Sequence, residues 1–153
     1  MHEFSFSRDI EPRAIWSHEA RDFTPWLAEN LIFLAKPLNM ELELEATEKR
    51  VGDFRADIVC RNRADNSRVV IENQFEKSNH PHLGKVLTYA AGLDAATIIW
   101  IAGEFRKEHR DVLNWLNRGT HAVLQFFGVE LKVSQIADSP YAPEFTVVTD
   151  MNN

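Results

Sequence analysis

One cysteine, Cys60, is the only thiol in this 153-residue sequence, so no internal disulfide can form and a reducing compartment is expected. It lies within Ile58-Val59-Cys60 with no histidine close in sequence, which marks it as a small core residue rather than a nucleophile. Long apolar runs are also missing. Nothing approaches the ~20 residues of a membrane-spanning helix, and the first residues, Met1 to Asp9, lack the apolar core of a secretory signal. A cytoplasmic location without membrane contact is the expectation. Positive charge is in deficit, with 17 Lys and Arg against 23 Asp and Glu and a net charge of −6. That argues against coating nucleic acid by charge alone. An enzyme acting on nucleic acid is not excluded, because its site would gather carboxylates and its basic surface can be local. Arg61-Asn62-Arg63 and Arg106-Lys107-Glu108-His109-Arg110 are two such local clusters, and each also fits a plain solvated surface.

The composition that remains is that of an ordinary globular chain, 44% hydrophobic and 26% charged, without internal repeats or low-complexity tracts. One domain over residues 1–153 is expected, with 1–21 as an N-terminal extension and 22–149 as the core. Asp22-Phe23-Thr24-Pro25 reads as a helix start, with Thr24 as cap and Pro25 at the first helical position. Leu27, Leu31, Leu34 and Leu38 then form a core stripe that Pro37 terminates. Glu41-Leu42-Glu43-Leu44-Glu45-Ala46-Thr47 alternates as a half-buried strand with its glutamates outward. A turn at 50–53, a strand over 54–60, a turn over 62–67 and a strand over 69–75 follow. The next helix is capped by Ser78 or Asn79 and stops at Gly92, with Leu83, Val86, Leu87 and Ala90 inward and His82, Lys85 and Tyr89 on a neighbouring stripe. Thr97 to Ala102 is a continuous apolar run suited to a central strand buried on both faces. Phe105 to Arg118 is a helix stopped by Gly119. One or two strands are expected within His121–Val133 and a last one over Glu144–Thr149. The order α-β-β-β-α-β-α-β gives an α/β fold, a mixed central sheet flanked by helices.

Within this pattern, residues Gly52 to Gln74 are anomalous, because two apolar strands carry Asp57, Glu72 and Gln74. Ionised carboxylates are costly to bury unless they are paired or bind a cation. On adjacent strands Asp57 and Glu72 can stand within ~5–8 Å of each other, a pair of hard oxygen donors suited to Mg²⁺ or Mn²⁺. A metal-bound water has a lowered pKa and can attack phosphorus. The spacing alone is equally consistent with Asp57 paired to Arg55 or another cation and Glu72 capping a strand end. His80 and His82 have the spacing of transition-metal ligands, but two histidines without a cysteine nearby are too few; His82 near a phosphate is the better supporting role.

Asp57 followed by Val69-Val70-Ile71-Glu72-Asn73-Gln74 resembles the PD-(D/E)XK nuclease superfamily, the restriction-endonuclease-like fold. Phe23-Thr24-Pro25-Trp26-Leu27-Ala28-Glu29-Asn30, Val51-Gly52-Asp53-Phe54-Arg55-Ala56-Asp57 and the stretch from His82 to Ala95 are similar to an uncharacterised bacterial subgroup of it, over roughly residues 16–149. The resemblance implies that Asp57 and Glu72 are metal-binding acids, that the Asn73 carbonyl adds a ligand, and that Glu29 matches an acid on the first helix. It places Gln74 where the superfamily usually has its catalytic lysine. An amide orients a water but does not supply an ammonium's charge. Lys85, in a Lys85-x-x-x-Tyr89 arrangement on the second helix, is the first candidate to replace that lysine, and Lys77 the second.

The expected function is hydrolysis of DNA phosphodiesters with Mg²⁺ or Mn²⁺. Asp57 and Glu72 would hold the ion, Gln74 would orient the water and Lys85 would neutralise the transition state, with Glu29 as an outer ligand and His82, Tyr89 and Lys77 in support. No helix-turn-helix or zinc finger is present, so specificity would come from a homodimer, a partner or another domain. The rival is a nuclease-fold module that binds nucleic acid or mediates assembly without cleavage.

Overall fold

The computed structural model describes residues 1–120 and 123–150. Its strands are β1 (Ser7–Ile10), β2 (Leu42–Val51), β3 (Phe54–Asn62), β4 (Ser67–Asn73), β5 (Thr97–Ala102), β6 (Gln125–Ile136) and β7 (Ala142–Val147). Its helices are α1 (Pro12–Ile15), α2 (Thr24–Glu29), α3 (Ile32–Leu38), α4 (His80–Gly92) and α5 (Lys107–Thr120), and a π-helical turn covers Glu19–Phe23. The strands form one mixed sheet in the order β1-β6-β5-β4-β3-β2, with β7 also pairing β6. The meander β2-β3-β4 is antiparallel, whereas β4, β5 and β6 run parallel. Parallel neighbours need long crossovers, which α4 and α5 supply.

Two apolar layers cover the sheet. On one face, Leu27, Leu31, Leu34 and Leu38 of the first helices pack with Trp16 and Phe23 against Ile58, Ile71, Ile99 and Phe127. On the other, Val86 and Tyr89 of α4 and Leu113 of α5 pack against Val59, Val70, Ile98, Trp100 and Phe126. Each fully buried large side chain contributes about 1.5–3 kcal/mol relative to exposure. β5 is buried at every position, as its unbroken apolar run requires.

Several boundaries differ from the sequence expectation, each for a local reason. The leucine stripe is intact but spans two helices, because the chain breaks at Asn30, whose Nδ2 donates to the Trp26 carbonyl. Thr24 is the first residue of α2 and Phe23 holds the cap position; the Thr24 hydroxyl accepts instead from Asn73 Nδ2 at 3.2 Å. Pro37 lies within the last turn of α3, which ends on Asn39 at φ 53°. The alternation in β2 fails at a bulge between Leu44 and Ala46, and Leu44 is left 44% exposed. In α4 it is Tyr89 that is buried, while Leu87 faces out. Gly119 lies inside α5 rather than after it. β6 is one long strand starting at Gln125, and Pro143 sits in β7; the His121 end of the expected region lies outside the described residues. Before the first helices, β1 pairs antiparallel with β6, so the N-terminal extension supplies a strand.

Candidate active site

Sheet register builds the site. Ile58 pairs with Ile71 and Val59 with Val70, and one step further the same register sets Asp57 opposite Glu72. Here the two strands part. The Asn73 N–H donates to Asp57 Oδ2 at 2.9 Å, a side-chain bond in place of the next rung of the ladder. Glu72 is only 2% exposed, and Asp57 is partly buried.

Burial pushes the Glu72 carboxyl up to about 9, with the charge of Asp57 and the hydrogen bond between the two acids adding to the effect and Lys85 opposing it. Burial likewise pushes Asp57 up to about 6, against the Asn73 N–H and the bond with Glu72; Glu48 raises it further and Lys85 lowers it. Two carboxyls in contact do not both ionise readily, so at neutral pH this pair holds a proton. Glu72 Oε2 is enclosed and receives no hydrogen bond. Such an oxygen costs about 1–3 kcal/mol unless something satisfies it. Neither acid has an ion-pair partner among the described residues, Arg55 included.

The other expected residues fall into two groups. Lys85, partly buried on α4, lies toward the acids, its charge acting on Asp57 and Glu72; His82, also partly buried on α4, is near Lys85 and Glu76 instead. His82 is held by Asn79, whose Oδ1 caps α4 at His82 N and meets His82 Nδ1 at 3.0 Å. Burial, then Lys85, keeps its pKa below the usual value. Tyr89 is buried, and its hydroxyl meets the Arg55 main chain next to Asp57; burial and then the two acids push it up to about 12. The Asn73 main chain faces Asp57, since its neighbour Gln74 is the one whose N–H donates to Ile101 of β5. In an extended strand a residue's N–H and C=O point to the same side, so the Asn73 carbonyl faces the acids' side as well.

Gln74 departs from the expectation. Its carboxamide is 1% exposed; Oε1 accepts from Trp100 Nε1 at 2.8 Å and Nε2 donates to the Lys77 carbonyl at 2.9 Å. Both ends of the amide are engaged in holding the strand end. Lys77 is exposed and ion-paired to Glu104 at 3.7 Å, so only its carbonyl serves this cluster. Glu29 is exposed at the last position of α2, and the carboxylate whose charge reaches Asp57 is Glu48 instead. The histidines do not converge on an ion: His80 Nδ1 bonds His109 Nε2 at 2.8 Å, away from His82's partner Asn79.

Three features lack a sequence signal. Glu48 has φ 51° within β2, and pairing of Thr47 with Ile58 and Lys49 with Ala56 sets it opposite Asp57. Ser78 Oγ bonds His109 Nδ1 at 2.8 Å and accepts from Arg106 N, tying the start of α4 to α5. Glu19 accepts from Phe75 N at 2.8 Å and shares Arg13 with Glu76. Burial, then the bond to Glu76, pushes Glu19 up to about 7. The glutamates that the sequence shows in a row, Glu43 and Glu45, pair instead with Arg63 and Arg61.

No protein-family model matches the chain, and no curated protein matches its sequence. Solved structures do. A repair endonuclease from Pyrococcus abyssi superposes with a TM-score of 0.52 at 19% identity, over 69% of this chain and 46% of that one. The EndoMS–dsDNA2 complex gives a TM-score of 0.50 at 19% identity, over 69% of this chain and 44% of that one. This chain thus spans less than half the length of either protein. With its curled mixed sheet, its antiparallel meander of β2 to β4 and its helical crossovers, the chain has a restriction-endonuclease-like fold.

Proposed function

We propose that the chain is a divalent-metal-dependent nuclease that hydrolyses DNA phosphodiester bonds at the Asp57–Glu72 pair. The observation that carries this reading is the enclosed Glu72 carboxyl, whose Oε2 accepts no hydrogen bond, set against a second carboxyl rather than a base. A buried acid pair without a counter-ion is unfavourable when ionised, and a hard cation is the group that would relieve it. The donor set fits Mg²⁺ or Mn²⁺. No three Asp, Glu, His or Cys side chains converge as a cage among the described residues, and Mg²⁺ characteristically takes one or two carboxylates and keeps its waters.

Asp57 and Glu72 would hold the ion, with the Asn73 carbonyl facing the same space. When bound, the ion supplies a water of lowered pKa and offsets charge on the phosphate oxygens. The Asn73 N–H fixes Asp57 Oδ2 and favours its ionised form. Lys85 is a cationic side chain whose charge acts on both acids, and it would neutralise a phosphate that approaches them. Gln74 is a positioning residue, locking Trp100 and the Lys77 carbonyl beneath the end of β4. The structural neighbour in complex with dsDNA favours DNA as substrate.

Supercoiled plasmid incubated with the purified chain and Mg²⁺ or Mn²⁺ tests the reading. Nicked or linear product that disappears with EDTA and with Asp57→Ala is expected. Binding of DNA without cleavage by the wild type would replace this reading with the non-cleaving module; cleavage that survives Asp57→Ala would show contamination.

A further inference from the structure

In the hairpin joining β2 to β3, beside the site, two arginines oppose each other. Arg50 pairs with Arg55, two residues from Asp57, and both are exposed. Like charges directly opposite on neighbouring strands destabilise a sheet, and neither guanidinium has a hydrogen bond or ion pair among the described residues.

The same sheet contains a second opposed pair, and there the repulsion is relieved. Arg61 pairs with Arg68, and one carboxylate bridges them: Arg61 Nε donates to Glu45 Oε1 at 3.1 Å and an Arg68 terminal nitrogen donates to Glu45 Oε2 at 3.0 Å. The other strand arginine, Arg8, is bonded to Gln135. Among the arginines on strands, only Arg50 and Arg55 are without a partner among the described residues. They have the arrangement of the Arg61–Arg68 pair without its oxyanion.

The hairpin that carries them is anchored. Its Val51 packs so closely on α4 that a Cβ at Gly92 would lie 2.4 Å from Val51 Cγ1, and the Tyr89 hydroxyl meets the Arg55 main chain. The backbone that carries the two arginines is therefore held in place, along a hairpin that Gly52, at φ 61°, turns back in two residues, with Arg55 two positions from Asp57 on β3.

We propose that Arg50 and Arg55 together grip a phosphodiester of bound DNA, one or two nucleotides from the phosphate at Asp57 and Glu72. The inference rests on the nuclease reading and identifies the local basic contact that a chain of net charge −6 requires. A phosphate offers two non-bridging oxygens, as Glu45 offers two carboxylate oxygens, and arginine binds such anions through paired charge-assisted bonds. Two strand residues span about 7 Å against a rise of about 3.4 Å per nucleotide, which sets the spacing.

Fluorescence anisotropy with a labelled DNA duplex in EDTA, where the metal-dependent cleavage does not proceed, measures affinity against salt for the wild type, Arg50→Ala/Arg55→Ala and Arg50→Lys/Arg55→Lys. Each phosphate that the protein ceases to neutralise makes the slope of log K against log salt shallower by about 0.9. The alanine pair is expected to make it shallower by about 0.9, the share of the one phosphate it grips, and to weaken binding by at least about tenfold at low salt. The lysine pair is expected to keep the slope while binding more weakly, because charge remains and the paired geometry does not. A slope and affinity unchanged in the alanine pair would overturn the clamp and leave the nuclease reading standing. Absence of DNA binding by the wild type both in EDTA and with Ca²⁺ in its place would overturn both.

Discussion

Binding of a divalent ion at Asp57 and Glu72 should expel protons, in a number set by the acid pair. Glu72 is raised to about 9 and Asp57 to about 6, so at pH 7.5 the metal-free pair holds about one proton. Both groups must be carboxylates to ligate the ion, so binding at that pH releases about one proton, rising toward two near pH 5 and toward none at pH 10. Over the window between the two values, affinity should rise about tenfold per pH unit. Isothermal titration with Mn²⁺ in buffers of different ionisation enthalpy reads the proton number directly. The same shifts affect folding. A carboxyl raised above its unfolded value contributes stability below that unfolded value and loses it as pH climbs through the folded one. The metal-free chain should therefore lose stability from about pH 4 to 9, and Mn²⁺ should restore more of it at pH 7.5 than at pH 5.5. Glu72→Gln should abolish both the proton release and the metal-induced rise in Tm without lowering the metal-free Tm at pH 7.5. Metal binding with no proton release across pH 6.5–8.5 would refute the shared-proton pair.

Lys85→Ala should lower the cleavage rate by about a hundredfold or more, as loss of a transition-state charge partner does, without weakening Mn²⁺ binding; a rate unchanged in this variant would remove Lys85 from the site. Gln74→Leu should cost about 2–4 kcal/mol of stability in denaturant unfolding, because Trp100 Nε1 and the Lys77 carbonyl are each left without a buried partner; a neutral outcome would contradict its positioning role. His109, whose pKa is lowered by burial and then by His80 and Arg106, should contribute stability above about pH 6.5 that is lost as pH falls below it, an effect absent from His109→Gln in pH-dependent thermal melts.

The sequence revealed those parts of the fold that local pattern dictates. Thr97 to Ala102 reads as a central strand, and it is buried throughout. The leucines at 27, 31, 34 and 38 face the core although the helix around them breaks. Asp57 and Glu72 stood out because acids interrupt apolar strands, and the register then sets them opposite each other. What failed was what depends on neighbours distant in sequence. Thr24 looked like a cap but serves Asn73, 49 residues away. Gln74 looked like a reactive amide, and nothing local foretold that Trp100 would occupy it. Leu44 kept the alternation in sequence and lost it in space to a bulge. Glu48 escaped notice since its left-handed backbone lies within an otherwise extended run.

A crystal soaked in Mn²⁺ and measured at a wavelength where manganese scatters anomalously tests the metal assignment most directly. The expected result is one strong peak between the Asp57 and Glu72 carboxyls, within about 2.5 Å of Glu72 Oε2, and none in Glu72→Gln. A Glu72 Oε2 still without a ligand at saturating Mn²⁺, or a peak held by other residues, would contradict it.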